Sequence, residues 1–299
     1  MMKYLINGTL ALLMIACSQP KKAAEEQTEE VVEEITREPA LTKIWESDTT
    51  LLTPESVLFD EGNNVLYVSC INGVPPNAQD EDGYIAKVNP ADGSIIEMEW
   101  VTGLDAPKGM GQVGNTLYVT NIDEVVAIDV TTGEITNRIA VEGAEFLNDI
   151  TTDPEGNVYF SDSNTNKIHK LSATGELTTW IEGEELGGPN GLFFDGDKIM
   201  LATFGRGDLS AIALENPEVM LVADSIPGGD GVEKVGEDFL VSNWNGEVFY
   251  VYSDGDIAKM IDTKEAGANA ADIEFIEKDM TVLVPTFFGN QVVAYKLSK

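Results

Sequence analysis

Six residues that could share one site recur at nearly constant spacing: Glu55, Lys108, Asn148, Asn190, Asp230 and Asp272, at intervals of 53, 40, 42, 40 and 42 residues. The first five stand in turn-like contexts: Pro54-Glu55-Ser56, Pro107-Lys108-Gly109, Leu147-Asn148-Asp149, Pro189-Asn190-Gly191 and Gly229-Asp230-Gly231. The sixth stands in Ala271-Asp272-Ile273. Side chains repeated at one phase of a periodic fold can be brought to a common axis. Glu55, Asn148, Asn190 and Asp230 would then offer two carboxylates and two amide oxygens. Such a hard, all-oxygen set suits Ca²⁺ or another divalent cation and leaves ligand positions for water and substrate. A cation there relieves the repulsion between crowded carboxylates and can polarise a carbonyl. Lys108 shares the phase and could balance Glu55 or Asp272, or steady an anionic intermediate. Asp272 is a candidate substrate contact. Trp244, Phe287 and Phe288 could wall an apolar substrate pocket, or simply pack an edge of the fold.

The segments between these residues say what must position them. After each marker comes a short apolar run, a turn, and a second apolar run, as in Ile150–Thr152, Asp153-Pro154-Glu155-Gly156 and Val158–Asp162. A third run follows, as in Glu124–Asp129, Lys167–Ser172 and Glu247–Tyr252, then a Gly-containing turn and a fourth run. These are hairpin signals at short, regular separation. Four antiparallel strands per unit of about 40 residues, repeated radially, predict an all-β, six-bladed β-propeller over residues 41–299. The last unit supplies three strands only. Leu41–Glu46 is expected to add the fourth, so that an N-terminal strand closes the ring and removes the exposed sheet edges. The markers then fall at the mouth of the central channel, with the loops after the second strands on the same face. The longer loop Ile71–Gly83 is a candidate lid or a mobile surface loop.

Ahead of the repeat, Lys3 and the apolar run Tyr4–Ala16 read as a secretory signal, too short for a permanent bilayer span. Met14-Ile15-Ala16-Cys17-Ser18 resembles the lipobox of bacterial lipoproteins, in which Cys17 would become the lipidated first residue. Residues 1–16 are therefore assigned as signal peptide. Residues 17–40 are assigned as an acidic disordered tether, because seven glutamates and little apolar content cannot offset ordering entropy. The chain is expected in the cell envelope, on the periplasmic or surface side, held to a membrane only through this anchor, and monomeric. Eighteen basic against 52 acidic residues give a net charge of −34, which repels phosphate backbones and excludes nucleic acid as a partner. With Cys17 lipidated, Cys70 has no partner for a disulfide and reads as a buried thiol. Gly109-x-Gly111-x-x-Gly114 matches the dinucleotide fingerprint in letters, but it precedes a strand, so no helix N-terminus receives a pyrophosphate. No GxxxxGK[ST] loop and no GxSxG elbow occur.

The four in-phase contexts, among them Phe146-Leu147-Asn148-Asp149, Gly188-Pro189-Asn190-Gly191 and Gly229-Asp230-Gly231, resemble the six-bladed family of senescence marker protein 30, gluconolactonases, paraoxonases and diisopropyl-fluorophosphatase. The resemblance implies a catalytic calcium held by Glu55, Asn148, Asn190 and Asp230, with Asp230 also the water-activating base. It implies hydrolysis of lactones or related esters. Asp149 resembles residues near a second, structural calcium in some relatives. Two departures bear on the substrate. Phe146 stands where gluconolactonase-type members carry a sugar-holding arginine, so a less polar lactone or ester is as well suited. The histidine pair of paraoxonase-type members is missing; the single His169 lies in a third-strand run and reads as a surface or interstrand residue. The alternative is a propeller that binds a ligand or protein partner without catalysis.

Overall fold

The computed structural model describes residues 38–299. The signal peptide, Cys17 and most of the tether lie outside the described residues. Among those described, no helix is long and apolar enough to cross a membrane.

Six four-stranded antiparallel sheets follow one another along the chain, five of them built from four consecutive strands. The innermost strands are Pro54–Asp60, Pro107–Val113, Leu147–Thr152, Pro189–Asp195, Gly229–Val235 and Glu274–Ile276. In the sixth sheet the order runs Ala40–Glu46, Val292–Ser298, Thr281–Pro285, Glu274–Ile276. The N-terminal strand thus supplies the outer edge of the last blade, pairing Ala40 with Ser298 through to Glu46 with Val293. The fold is the six-bladed propeller that the repeat predicts, with the closing strand starting one residue earlier than expected.

Burial separates the second strands from the outer ones. Every residue of Val65–Cys70 is buried, because each face of that strand meets a neighbouring blade. The outer strand Leu177–Glu182 has no buried residue. The core lies between blades rather than within one. One cluster joins Leu66 and Val68 of blade one to Leu283 and Ala294 of blade six. Others join blades four and five through Leu209 and Val241, and blades five and six through Leu240 and Val282. Truncating such a residue to Ala removes about 2–5 kcal/mol, and the loss is felt by two blades. Cys70 is buried in the first of these clusters, and burial pushes its thiol up to about 12, which makes it an inert packing group.

Candidate functional site

Each marker of blades one to five sits where its inner strand slips register against the second strand: between Pro54 and Ser56, Pro107 and Met110, Leu147 and Ile150, Pro189 and Leu192, and Gly229 and Val232. A bulge re-aims a side chain out of the pleat, and here it turns the marker into the channel. The sequence contexts that read as turns are these bulges, inside strands.

The residue after each marker meets the next blade. A Cβ on Gly191 would stand 1.8 Å from the Asp230 carbonyl oxygen, one on Gly231 2.4 Å from the Ile273 nitrogen, and one on Gly109 2.4 Å from the Asp149 Cα. Only glycine fits where inner strands approach so closely. Where glycine is absent, the side chain bonds across. Asp149 accepts the Ile150 and Leu192 backbone N–H groups, both at 2.6 Å, and so ties blade three to blade four.

A second set of residues, not singled out in the sequence, clasps the bulges. The Ser161 hydroxyl accepts the Asp149 N–H at 3.0 Å and donates to the Asn190 carbonyl at 2.8 Å. The Ser242 hydroxyl accepts the Gly231 N–H at 2.8 Å and donates to the Ala271 carbonyl at 2.6 Å. Ser69 accepts the Ser56 N–H at 3.0 Å, and Thr120 donates to the Asn148 carbonyl. The available signal is a Ser or Thr at the next-to-last position of the second strand in four of the six blades.

Glu55, Lys108, Asn148, Asn190 and Asp230 line one cavity of about 390 Å³ at the channel mouth. Glu55 Oε2, Asn190 Oδ1 and Asp230 Oδ1 are buried without a hydrogen-bond partner. Asn148 turns its amide nitrogen to Ser163 Oγ at 3.3 Å. Three orphaned anionic or carbonyl oxygens in one cavity form a donor set that fits a hard cation. The set depends on amide oxygens: among the described residues, no group of three or more His, Cys, Asp and Glu is arranged to hold a metal. Burial, and next the Asp230 charge, pushes the Glu55 carboxyl well above the usual range, against the pull of Lys108. Burial, then Asp272 and Asp149, does the same to Asp230, with the Asn190 amide opposing.

Lys108 is 1% exposed. Its Nζ donates to the Ala106 carbonyl at 3.0 Å and stands 4.4 Å from the centre of the Phe146 ring. Burial lowers it to about 8, with Glu55 resisting. Trp244, Phe287 and Phe288 also line the mouth, as do Phe146, Phe204 and, from the candidate lid, Val74 and Pro76. Phe204 and Val74 were not among the expected site residues.

Asp272 does not join this set. It was expected at the mouth as a substrate contact, but it lines a separate cavity of about 600 Å³ together with Asp149, Glu233 and Glu274. The inner strand of blade six spans only Glu274–Ile276, so Asp272 precedes it and has no bulge to lift it. Its backbone N–H instead bonds the Glu55 carbonyl at 2.9 Å, and its carboxylate accepts from Ser56 Oγ at 2.5 Å. His169 is an interstrand residue, as read, and it is buried: it stacks on Phe160 at 5.4 Å, with Nδ1 3.3 Å from Thr179 Oγ1.

No protein-family model matches the chain, and no curated protein matches it. Solved structures do. A gluconolactonase from Xanthomonas campestris superposes with a TM-score of 0.64 at 16% identity, over 86% of this chain and 89% of that one. A catalytically inactive virginiamycin B lyase from Staphylococcus aureus, with quinupristin, gives 0.62 at 15%, over 87% and 100%. A nidogen/laminin complex gives 0.57 at 19%, over 72% and 82%. At these identities the likeness establishes the six-bladed propeller, a frame shared by lactonase-like enzymes and by proteins found in a complex with a protein partner.

Proposed function

We propose that this protein is a divalent-cation-dependent hydrolase that opens lactones or related esters at the channel mouth. The observation that carries the reading is the set of orphaned buried oxygens on Glu55, Asn190 and Asp230 within one cavity. Those three residues and Asn148 would hold the ion, calcium by preference for an all-oxygen set. When bound, such an ion supplies polarisation of the substrate carbonyl. The protein's own groups do the rest. Asp230 takes a proton from the water whose oxygen attacks the carbonyl carbon, then returns it to the ring oxygen as the carbon–oxygen bond breaks, giving a hydroxy acid. Lys108, held by Ala106 and the Phe146 ring, opposes the negative charge that builds nearby. Gluconolactonase likeness in the fold agrees with this chemistry without fixing the substrate.

Export and lipid attachment at Cys17 remain part of the proposal, supported by the Tyr4–Ala16 run and the lipobox-like Met14–Cys17. A second reading is a binding propeller without catalysis. The exposure of Val74, Phe204 and Phe288 around the mouth favours it, since apolar rims also receive partners. Dialysis against calcium followed by metal analysis should find about one equivalent or more at an all-oxygen site, and hydrolysis of a lactone panel should stop with chelator. Less than half an equivalent, or hydrolysis unaffected by chelation, refutes the enzyme reading.

A further inference from the structure

Three features of the mouth bear on what enters it. First, large apolar side chains stand exposed there against the usual rule: Val74 at 63%, Phe288 at 51% and Phe204 at 47%. Second, the aromatic corner is built rather than incidental. Trp244 meets Phe287 edge-on at 5.6 Å and Phe288 at 5.8 Å, while Phe287 and Phe288 cross at 4.9 Å and 88°. Phe287 holds a left-handed backbone, φ 45°, which a bulky residue adopts only when its surroundings demand it. The surroundings here anchor Trp244, through its carbonyl and Asn269 Nδ2 at 2.6 Å, and bury Phe287 at 3% exposure, leaving Phe288 at the mouth. Third, two of the polar groups beside the candidate ligands are already engaged, which leaves Asn164 as a polar lining side chain without a partner. Ser163 Oγ donates to the Pro189 carbonyl at 2.7 Å and receives the Asn148 amide, and Lys108 is covered by the Phe146 ring. A ring bearing many hydroxyls would lose water here and find few partners. An uncharged apolar group would gain burial against five aromatic side chains.

We infer that the mouth takes an uncharged lactone or ester bearing an apolar alkyl or aryl substituent, seated between the Trp244–Phe287–Phe288 corner and Phe146 and Phe204. The inference rests on the hydrolase reading for the reacting group, and on the wall alone for the substituent.

The test uses the whole exported domain, calcium-loaded, with γ-lactones of fixed ring and lengthening alkyl tail, beside a sugar lactone of equal ring size. Buried methylenes raise kcat/KM about fourfold each until the pocket fills; Trp244→Ala and Phe288→Ala flatten the series. Phe288 is half exposed, so its variant tests the wall even if loss of Trp244 unfolds the blade. In parallel, calorimetry on chelated protein measures binding of cyclic ketones with the same tails, which cannot be hydrolysed. Tail-dependent binding without any hydrolysis keeps the wall and overturns the hydrolase reading. Hydrolysis with no tail dependence, or with the sugar lactone preferred, overturns the wall. A failure of both overturns both.

Discussion

The two ends of one channel handle buried charge in opposite ways. In the lower cavity three carboxylates are spoken for: Asp149 accepts two backbone N–H groups, Asp272 accepts Ser56, and Glu274 accepts the Phe59 N–H at 2.9 Å, while burial and the neighbouring acids push Glu233 well above the usual carboxylate range. At the mouth, Glu55 and Asp230 each keep a buried oxygen with no partner. Leaving such a group unmatched costs about 1–3 kcal/mol, a cost that the proposed cation would relieve. Asp149, Asp272 and Glu274 serve as latches between blades.

Removing the receptor's charge gives the largest effect. Glu55→Gln and Asp230→Asn should each lower kcat/KM by about a hundredfold or more and weaken calcium binding in a titration, with the fold intact by circular dichroism. Full activity in either variant breaks the contrast between the two ends.

Crowding at the axis comes next. Gly191→Ala sets a Cβ 1.8 Å from the Asp230 carbonyl oxygen. Relief requires inner strands of blades four and five to part, at about 3 kcal/mol or more. Its melting temperature should fall and its calcium affinity with it, because the shift displaces Asp230. A melt equal to wild type would show that the inner strands of blades four and five can part at little cost.

The lower cavity gives the smallest and most particular signature. Burial raises the carboxyls of Asp272 and Glu274 to about 7, above unfolded values near 3.8 and 4.5. The folded state therefore binds more protons across that window, and this share of stability is present below the unfolded values and lost as pH climbs towards 7. Asp60 and Asp195, lowered by their hydrogen bonds, act oppositely at more acid pH, and His169, lowered by burial, acts oppositely within the window itself, one imidazole against two raised acids. Chelated protein should melt at lower temperature at pH 7 than at pH 5, and Glu274→Gln should shrink the difference. A melting point rising across the same interval contradicts the burial of these acids.

Much of this was legible in residue order. The spacing of the markers announced the ring, and the missing strand of the last unit announced closure by Leu41–Glu46, one residue short of the strand observed. The bulges were misread as turns because Pro, Gly, Asn and Asp carry the same local signal in both; the reason for Gly109, Gly191 and Gly231, a neighbouring inner strand, is tertiary. The clasping hydroxyls of Ser161 and Ser242 were passed over because Ser in a strand is common and its partners lie 29 residues on. Asp272 kept the phase of the repeat yet sits lower, since period alone does not reveal that blade six begins its inner strand at Glu274, three residues later than in the other blades.

Ala40 and Ser298, separated by 258 positions, are cross-strand neighbours. A ring fastened in this manner has no free end from which to peel: the sixth sheet must come apart before any blade can leave, and two clusters must be wetted at once. Heat and proteases therefore meet a high barrier to opening, whatever the equilibrium balance, and the durability of the domain is a matter of rate.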